Sequence, residues 1–131
     1  MIESITAKEN KKLKLISSLS AKKGRIKNNA YLVEGKRMVL EAFEYVRDAI
    51  MFIIISENFS SENKDLVTSL DESGISVYTV SDKLFKESVD TMNPQGIAAA
   101  VSIKNLSVKK SELNVHRRNL AIYTLIFLTH P

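Results

Sequence analysis

Tyr31-Leu32-Val33-Glu34-Gly35-Lys36-Arg37 is the stretch on which the reading of this 131-residue chain turns. Its first half is short, apolar and β-favouring, so residues 30–34 are expected to form a buried strand. Gly35 breaks that strand and suits a tight strand-to-helix turn. Residues 37–46 then place Val39, Ala42, Phe43 and Val46 on one face at helical spacing, with cations at the helix start. A strand that hands over to a helix through a glycine is the opening unit of an α/β domain.

Working outward, the same alternation recurs. Upstream, Thr6 and Glu9 have capping-box spacing. They introduce a helix with Leu13, Leu15, Ile16 and Leu19 inward, ending near residues 20–23. Residues 24–29 read as a polar, basic loop. Downstream, Met51-Phe52-Ile53-Ile54-Ile55 is a continuous apolar run, as expected of a central strand buried on both faces. Residues 60–73 form a helix with Leu66, Val67 and Leu70 inward, and Gly74 suits its C′ position. Residues 75–80 read as a strand, and Ser81 caps a short helix over 82–88. After a loop at 91–95, residues 96–103 are the last clear strand. Helices alternating with short strands predict a three-layer α/β/α sandwich with a mostly parallel mixed sheet.

Composition narrows the function. An apolar fraction of 44% with 26% charged residues is that of a globular domain. The absence of cysteine removes disulfides and thiolate metal sites and suits a reducing cytoplasm, the expected location. The two histidines, His116 and His130, have no cluster of further ligands around them. The N-terminus lacks the basic flank and apolar core of a secretory signal. The longest apolar run, over residues 120–128, is too short for a membrane-spanning helix, so no membrane partner is expected.

The net charge of +4 conceals a division. Residues 1–37 carry ten Lys/Arg and three acids, a net of +7, and the remainder carries a net of −3. Such a concentration is the electrostatic footprint of a polyanion partner, or else a helix kept charged for solubility.

Four pieces of the sequence then resemble a known family. Ile5-Thr6-Ala7-Lys8-Glu9-Asn10 with Lys14, then Arg25, then the stretch from Tyr31 to Arg37, then Asn93-Pro94-Gln95-Gly96-Ile97 fall in order and at plausible separations. Together they are similar to the N-terminal substrate-binding domain of the SpoU/TrmH family of RNA ribose 2′-O-methyltransferases. The resemblance covers residues 1–104, taken as an RNA-binding domain. It implies a fold like that of kink-turn-binding ribosomal proteins and structured RNA, ribosomal or transfer, as partner. It further implies that intact relatives add a knotted domain that binds S-adenosylmethionine and carries a catalytic arginine. Here residues 105–118 read as a linker and 119–131 as an apolar tail. No Gly follows Asn119 and no Arg follows Arg118, so the family's cofactor and catalytic motifs have no counterpart. The chain alone is therefore expected to bind RNA without methylating it, and to hold no cofactor itself. The alternative is a free-standing binder of structured RNA of the kink-turn type.

The residues expected to meet RNA follow from their chemistry. Lys8, Lys11, Lys12, Lys14, Lys22, Lys23 and Lys27 can supply phosphate contacts, which give affinity and salt dependence but no sequence readout. Arg25 and Arg37 are stronger candidates, because a guanidinium grips phosphate bidentately or stacks on a base. Asn10 can bond a base edge or ribose hydroxyl, or simply occupy an exposed helix face. Gln95 belongs first to a turn and second to RNA contact. Tyr31 is expected in the core. Glu34 is expected to act structurally, at the following helix N-terminus or by holding Arg37. The tail is read as the truncated first strand of a second domain, or as a β segment that docks on the sheet edge or mediates a homodimer.

Overall fold

The structure, a computed structural model, describes residues 2–89 and 91–103; the expected linker and tail lie outside the described residues. The strands are β1 (Glu3–Ser4), β2 (Ala30–Glu34), β3 (Ile50–Ser56), β4 (Val77–Val80) and β5 (Ile97–Ser102). The helices are α1 (Lys11–Ser18), α2 (Lys22–Asn28), α3 (Lys36–Tyr45), α4 (Glu57–Glu62), α5 (Lys64–Glu72) and α6 (Asp82–Val89), with a 3₁₀ turn at Arg47–Ala49. They build one five-stranded sheet in the order β1-β4-β3-β5-β2. β1 and β3 run parallel to β4, whereas β5 runs antiparallel to both β3 and β2. Four strands thus point the same way and β5 alone is reversed, the mostly parallel mixed sheet that the alternation predicts.

The pleat sorts side chains into two cores, one on each face. Tyr31, Val33, Ile53, Ile55, Ile97 and Ala99 face one layer, where Val39 and Ala42 of α3 and Val67 and Leu70 of α5 meet them. Ala30, Phe52, Ile54, Ala98 and Ala100 face the other, against Leu13 and Ile16 of α1 and Phe85 and Val89 of α6. Ile53, Ile54 and Ile55 are fully buried, which explains the unbroken apolar run of β3. Each such side chain contributes roughly 1.5–3 kcal/mol by leaving water. Among the described residues no helix is long and apolar enough to cross a membrane.

Four local expectations change. α1 starts after Asn10, whose side chain accepts from the Lys12 amide at 2.8 Å, so Asn10 and not Thr6 is the cap. The basic loop expected at 24–29 is mostly helix α2, held to the end of α1 by bonds described below. The single helix expected over 60–73 is two, because Asn63 leaves helical geometry (φ −133°, ψ 47°) and α4 starts earlier. The early start follows from Ser56, whose hydroxyl accepts from the Phe59 amide at 3.1 Å directly after β3. Finally, Glu3–Ser4 forms a short edge strand beside β4. Two expected caps are present: Ser81 accepts from the Leu84 amide, and Gly74 takes φ +91° after α5.

Candidate nucleic-acid interface

The four co-directional strands end at one edge of the sheet, and the reversed β5 begins there. The sequence on either side of that edge is what brings two distant motifs together. β2 ends opposite the start of β5, with Glu34 paired to Ala98 and the Gly35 amide donating to the Ile97 carbonyl at 2.9 Å. One residue further, the Lys36 amide donates to Gln95 Oε1 at 3.1 Å across 59 residues of chain. The first orphan amides of α3 thereby gain an acceptor from the Asn93–Gly96 turn.

Both glycines are dictated by this junction. Gly35 has φ +100°, and a Cβ there would lie 3.1–3.2 Å from the Gln95 carboxamide. Gly96 has φ +97°, and its Cβ would stand 2.6 Å from Ser56 Oγ and 2.8 Å from Phe59 Cβ. Gln95 is therefore seated directly on the Gly35 backbone. With its oxygen turned to the Lys36 amide, its NH₂ group is left as an oriented donor. Gln95 lines a surface cleft of about 530 Å³ with Lys36, Arg37, Leu40, Glu41 and Glu44. It also lines a second of about 260 Å³ with Ser56, Asn58, Asp82, Lys86 and Pro94.

Arg37 stands 79% exposed at this edge, its Nε 3.4 Å from Glu41 Oε1. Glu41 is itself largely covered, at 15% exposure, whereas Arg37 reaches into solvent with its outer guanidinium nitrogens available. The carboxylate beside Arg37 is thus Glu41 and not Glu34. Glu34 lies on the opposite side of β2, on the face of Ala30 and Leu32, with one carboxylate oxygen buried and without a partner among the described residues. Lys36 reaches Asn63 Oδ1 at 3.3 Å. Neither Lys36 nor Asn63 was singled out from sequence. The first lay inside the motif and was readable, whereas Asn63 carries no local signal and is brought in by the α4–α5 break.

The other expected contacts divide between the two ends of the sheet. Lys8, Asn10 and Lys11 lie where the chain leaves β1 and enters α1, at the same edge as Gln95. Lys12 and Lys14 follow along α1. Lys8 Nζ approaches Glu87 at 3.9 Å, and Lys12 Nζ lies 5.0 Å from the centre of the Tyr78 ring. Lys22, Lys23, Arg25 and Lys27 sit on α2, at the opposite end, where β2 begins. Arg25 faces inward: its Nη1 donates to the Leu19 carbonyl at 3.1 Å, and its Nε is buried. Its guanidinium joins the end of α1 to α2, a structural bond that sequence alone did not show. Tyr31 is 1% exposed and belongs to the core, as expected; burial pushes its phenol well above the usual tyrosine range.

Comparison with known proteins fits this arrangement. Residues 10–99 match the family described as the MRM3-like substrate binding domain. Over 98 residues the chain is 32% identical to the 23S rRNA (guanosine(2553)-2′-O)-methyltransferase RlmP of Bacillus subtilis (strain 168), covering 75% of this chain and 37% of that relative. The fold is shared with an rRNA methyltransferase from Sinorhizobium meliloti (TM-score 0.59, 19% identity, 77% of this chain and 37% of that one). It is shared too with an RNA 2′-O ribose methyltransferase (TM-score 0.58, 22% identity, 81% and 40%). The chain thus spans well under half the length of the proteins it matches. With nearly 70% of its length inside the family match, this chain belongs to the MRM3-like substrate-binding domain family.

Proposed function

We propose that this domain binds structured ribosomal RNA and presents it for ribose 2′-O-methylation, through the edge built by the Gly35–Arg37 and Asn93–Gly96 segments. The observation that carries the reading is the Lys36–Gln95 hydrogen bond. It fixes two polar segments 59 residues apart into one surface before any ligand arrives, and preorganisation of that kind lowers the cost of binding. Family membership supports RNA as the ligand, and the activity for which the Bacillus subtilis relative is named supports 23S rRNA as the first candidate.

The chemistry at the edge suits an RNA that exposes unpaired bases and ribose hydroxyls. The Gln95 NH₂ can donate to a base carbonyl or a 2′-hydroxyl. Arg37 can hold a phosphate through two parallel N–H bonds or stack on a base. Lys8 and Lys11, at the same edge, add phosphate attraction without readout. S-adenosylmethionine is bound by an rRNA methyltransferase from Sinorhizobium meliloti that shares this fold, and no residue of this chain is assigned to it here. Of the two clefts that Gln95 lines, one is bordered by Lys36, Arg37, Glu41 and Glu44 and the other by Asn58, Asp82 and Lys86 with the Phe59 and Phe85 side chains. The proposed role is substrate positioning, in the cytoplasm where ribosomal RNA is handled.

Fluorescence anisotropy with a hairpin from 23S rRNA, against duplex DNA of equal length, tests the proposal. The protein should prefer the RNA, and Arg37→Ala/Gln95→Ala should remove about 1–3 kcal/mol of that preference, the discrimination of one well-made bidentate contact. Equal affinity for both nucleic acids, unchanged in the variant, would overturn it.

A further inference from the structure

We infer that α2 is a second RNA-contacting surface, separate from the Gln95 edge and at the opposite end of the sheet, which grips phosphates without regard to sequence. The inference takes from the proposed function only that the ligand is RNA.

The helix is two-sided in a way its sequence does not announce. Its inner side is fixed to the C-terminal end of α1. Asn28 Nδ2 donates to Ser18 Oγ at 3.2 Å and to the Gly24 carbonyl at 2.9 Å, and Arg25 Nη1 donates to the Leu19 carbonyl at 3.1 Å. Gly24 approaches so closely that any Cβ there would collide with the Ser18 carbonyl. Its outer side consists of Lys22, Lys23, Ile26 and Lys27, spaced one and four apart and therefore on one helical face. All four are exposed, Ile26 to 54%. Among the described residues none of the three lysines has an ion-pair partner.

Every inward bond is thus made by a residue other than lysine, and every lysine points outward. Lysines kept only for solubility need no such mounting, since they serve equally well on a mobile loop. Here the α1–α2 bonds hold three like charges on one face, a standing repulsion that a polyanion relieves. The seven residues of β3 separate this face from the Gln95 edge by about 20 Å. β2 joins the two directly, running along the free edge of the sheet from the end of α2 to Gly35.

The test uses the full chain, with the 23S rRNA hairpin and a poly(U) strand as probes across a salt series. Three variants are compared: Lys22→Gln/Lys23→Gln/Lys27→Gln, Arg37→Ala/Gln95→Ala, and the unmodified protein. Thermal melting verifies that each is folded. Neutralising three phosphate contacts should flatten the salt dependence with both probes, so that between 50 and 200 mM salt the unmodified protein loses about 20- to 40-fold more affinity than the α2 variant. The α2 variant should keep its preference for the hairpin over poly(U). The edge variant should lose that preference while giving up at most about one phosphate's share of the salt slope, against three for the α2 variant. An α2 variant whose salt slope matches the unmodified protein overturns the inference and leaves the edge reading standing. A flattened slope with no effect of the edge variant does the reverse. If the α2 variant instead keeps RNA affinity and loses binding to poly-aspartate, the face belongs to an acidic protein and the inference fails. Absence of RNA binding by the unmodified chain removes both readings.

Discussion

Replacing Gly35 with alanine should damage this domain through Gln95, and a double-mutant cycle can separate that route from simple backbone strain. Gly35 sits at φ +100°, where an L side chain costs about 1–3 kcal/mol. The new Cβ would also lie 3.1–3.2 Å from the three atoms of the Gln95 carboxamide and displace it. Displacement breaks the bond from the Lys36 amide, which is exposed and so contributes about 0.5–1.5 kcal/mol. Gly35→Ala should therefore destabilise by about 1.5–4.5 kcal/mol, the sum of strain and the lost bond. Gln95→Ala alone should cost only the bond. In the double variant the bond is already absent and the truncated side chain leaves room for the Cβ, so only one loss of the bond is counted. The double variant should fall short of additivity by about 0.5–1.5 kcal/mol. Urea denaturation followed by circular dichroism reads these differences as shifts in midpoint at constant m. Additivity within about 0.3 kcal/mol would refute the reasoning, since it would mean that Gly35 does not make room for Gln95.

Two further outcomes follow from buried groups. Tyr31 is fully buried with its hydroxyl unpartnered among the described residues, so Tyr31→Phe should be neutral or stabilising by about 1 kcal/mol at neutral pH. Because burial raises the folded-state pKa of this phenol, both states are protonated below about pH 10 and the contribution is flat there. Above that pH the unfolded chain ionises first, so the unmodified protein should lose up to about 1.4 kcal/mol per pH unit relative to the Phe variant. Parallel urea curves for the two proteins through pH 9 to 11 would expose a missing divergence. Arg25→Ala should act on stability rather than on RNA. Loss of the bond to the Leu19 carbonyl costs about 1–2 kcal/mol, a fall of roughly 4–8 °C in Tm per kcal/mol. A variant that melts normally yet binds RNA weakly would return Arg25 to the list of phosphate ligands.

The strands that carry their own core were legible in the sequence. β3 announces itself because Ile53, Ile54 and Ile55 are buried on both faces, and α3 because Val39, Ala42 and Val46 repeat at helical spacing. What escaped was structure owed to distant partners. Glu3 and Ser4 have no strand propensity and are extended only because β4 offers Tyr78 and Thr79 as neighbours. Gly24 reads as a helix breaker, but its missing Cβ is what allows α2 to dock on Ser18. Thr6 and Glu9 have the right spacing for a cap, yet Asn10 makes it, since α1 begins only at Lys11. The motifs Glu34–Arg37 and Asn93–Gly96 were visible as strings. Their meeting was not, because it depends on which strand lies beside β2 and in which direction it runs.

That direction decides where each charge lies. β5 enters at the edge where β2 and β3 end, so the turn at Asn93–Gly96 is delivered beside Gly35 and Ser56. Were β5 parallel to its neighbours, the same turn would open at the other end of the sheet, beside α2. Gln95 would then face Lys22, Lys23 and Lys27 rather than Arg37, and no acceptor would reach the Lys36 amide. The reversal therefore does two things at once. It joins the oriented amide to the guanidinium at one end, and it leaves the lysine face of α2 at the other end with charge but no oriented amide. In the proposed RNA-binding mode, selectivity and unselective attraction are thereby assigned to different ends of one small sheet. Variants of either end should move one property while sparing the other, which would not hold if the basic residues formed a single patch.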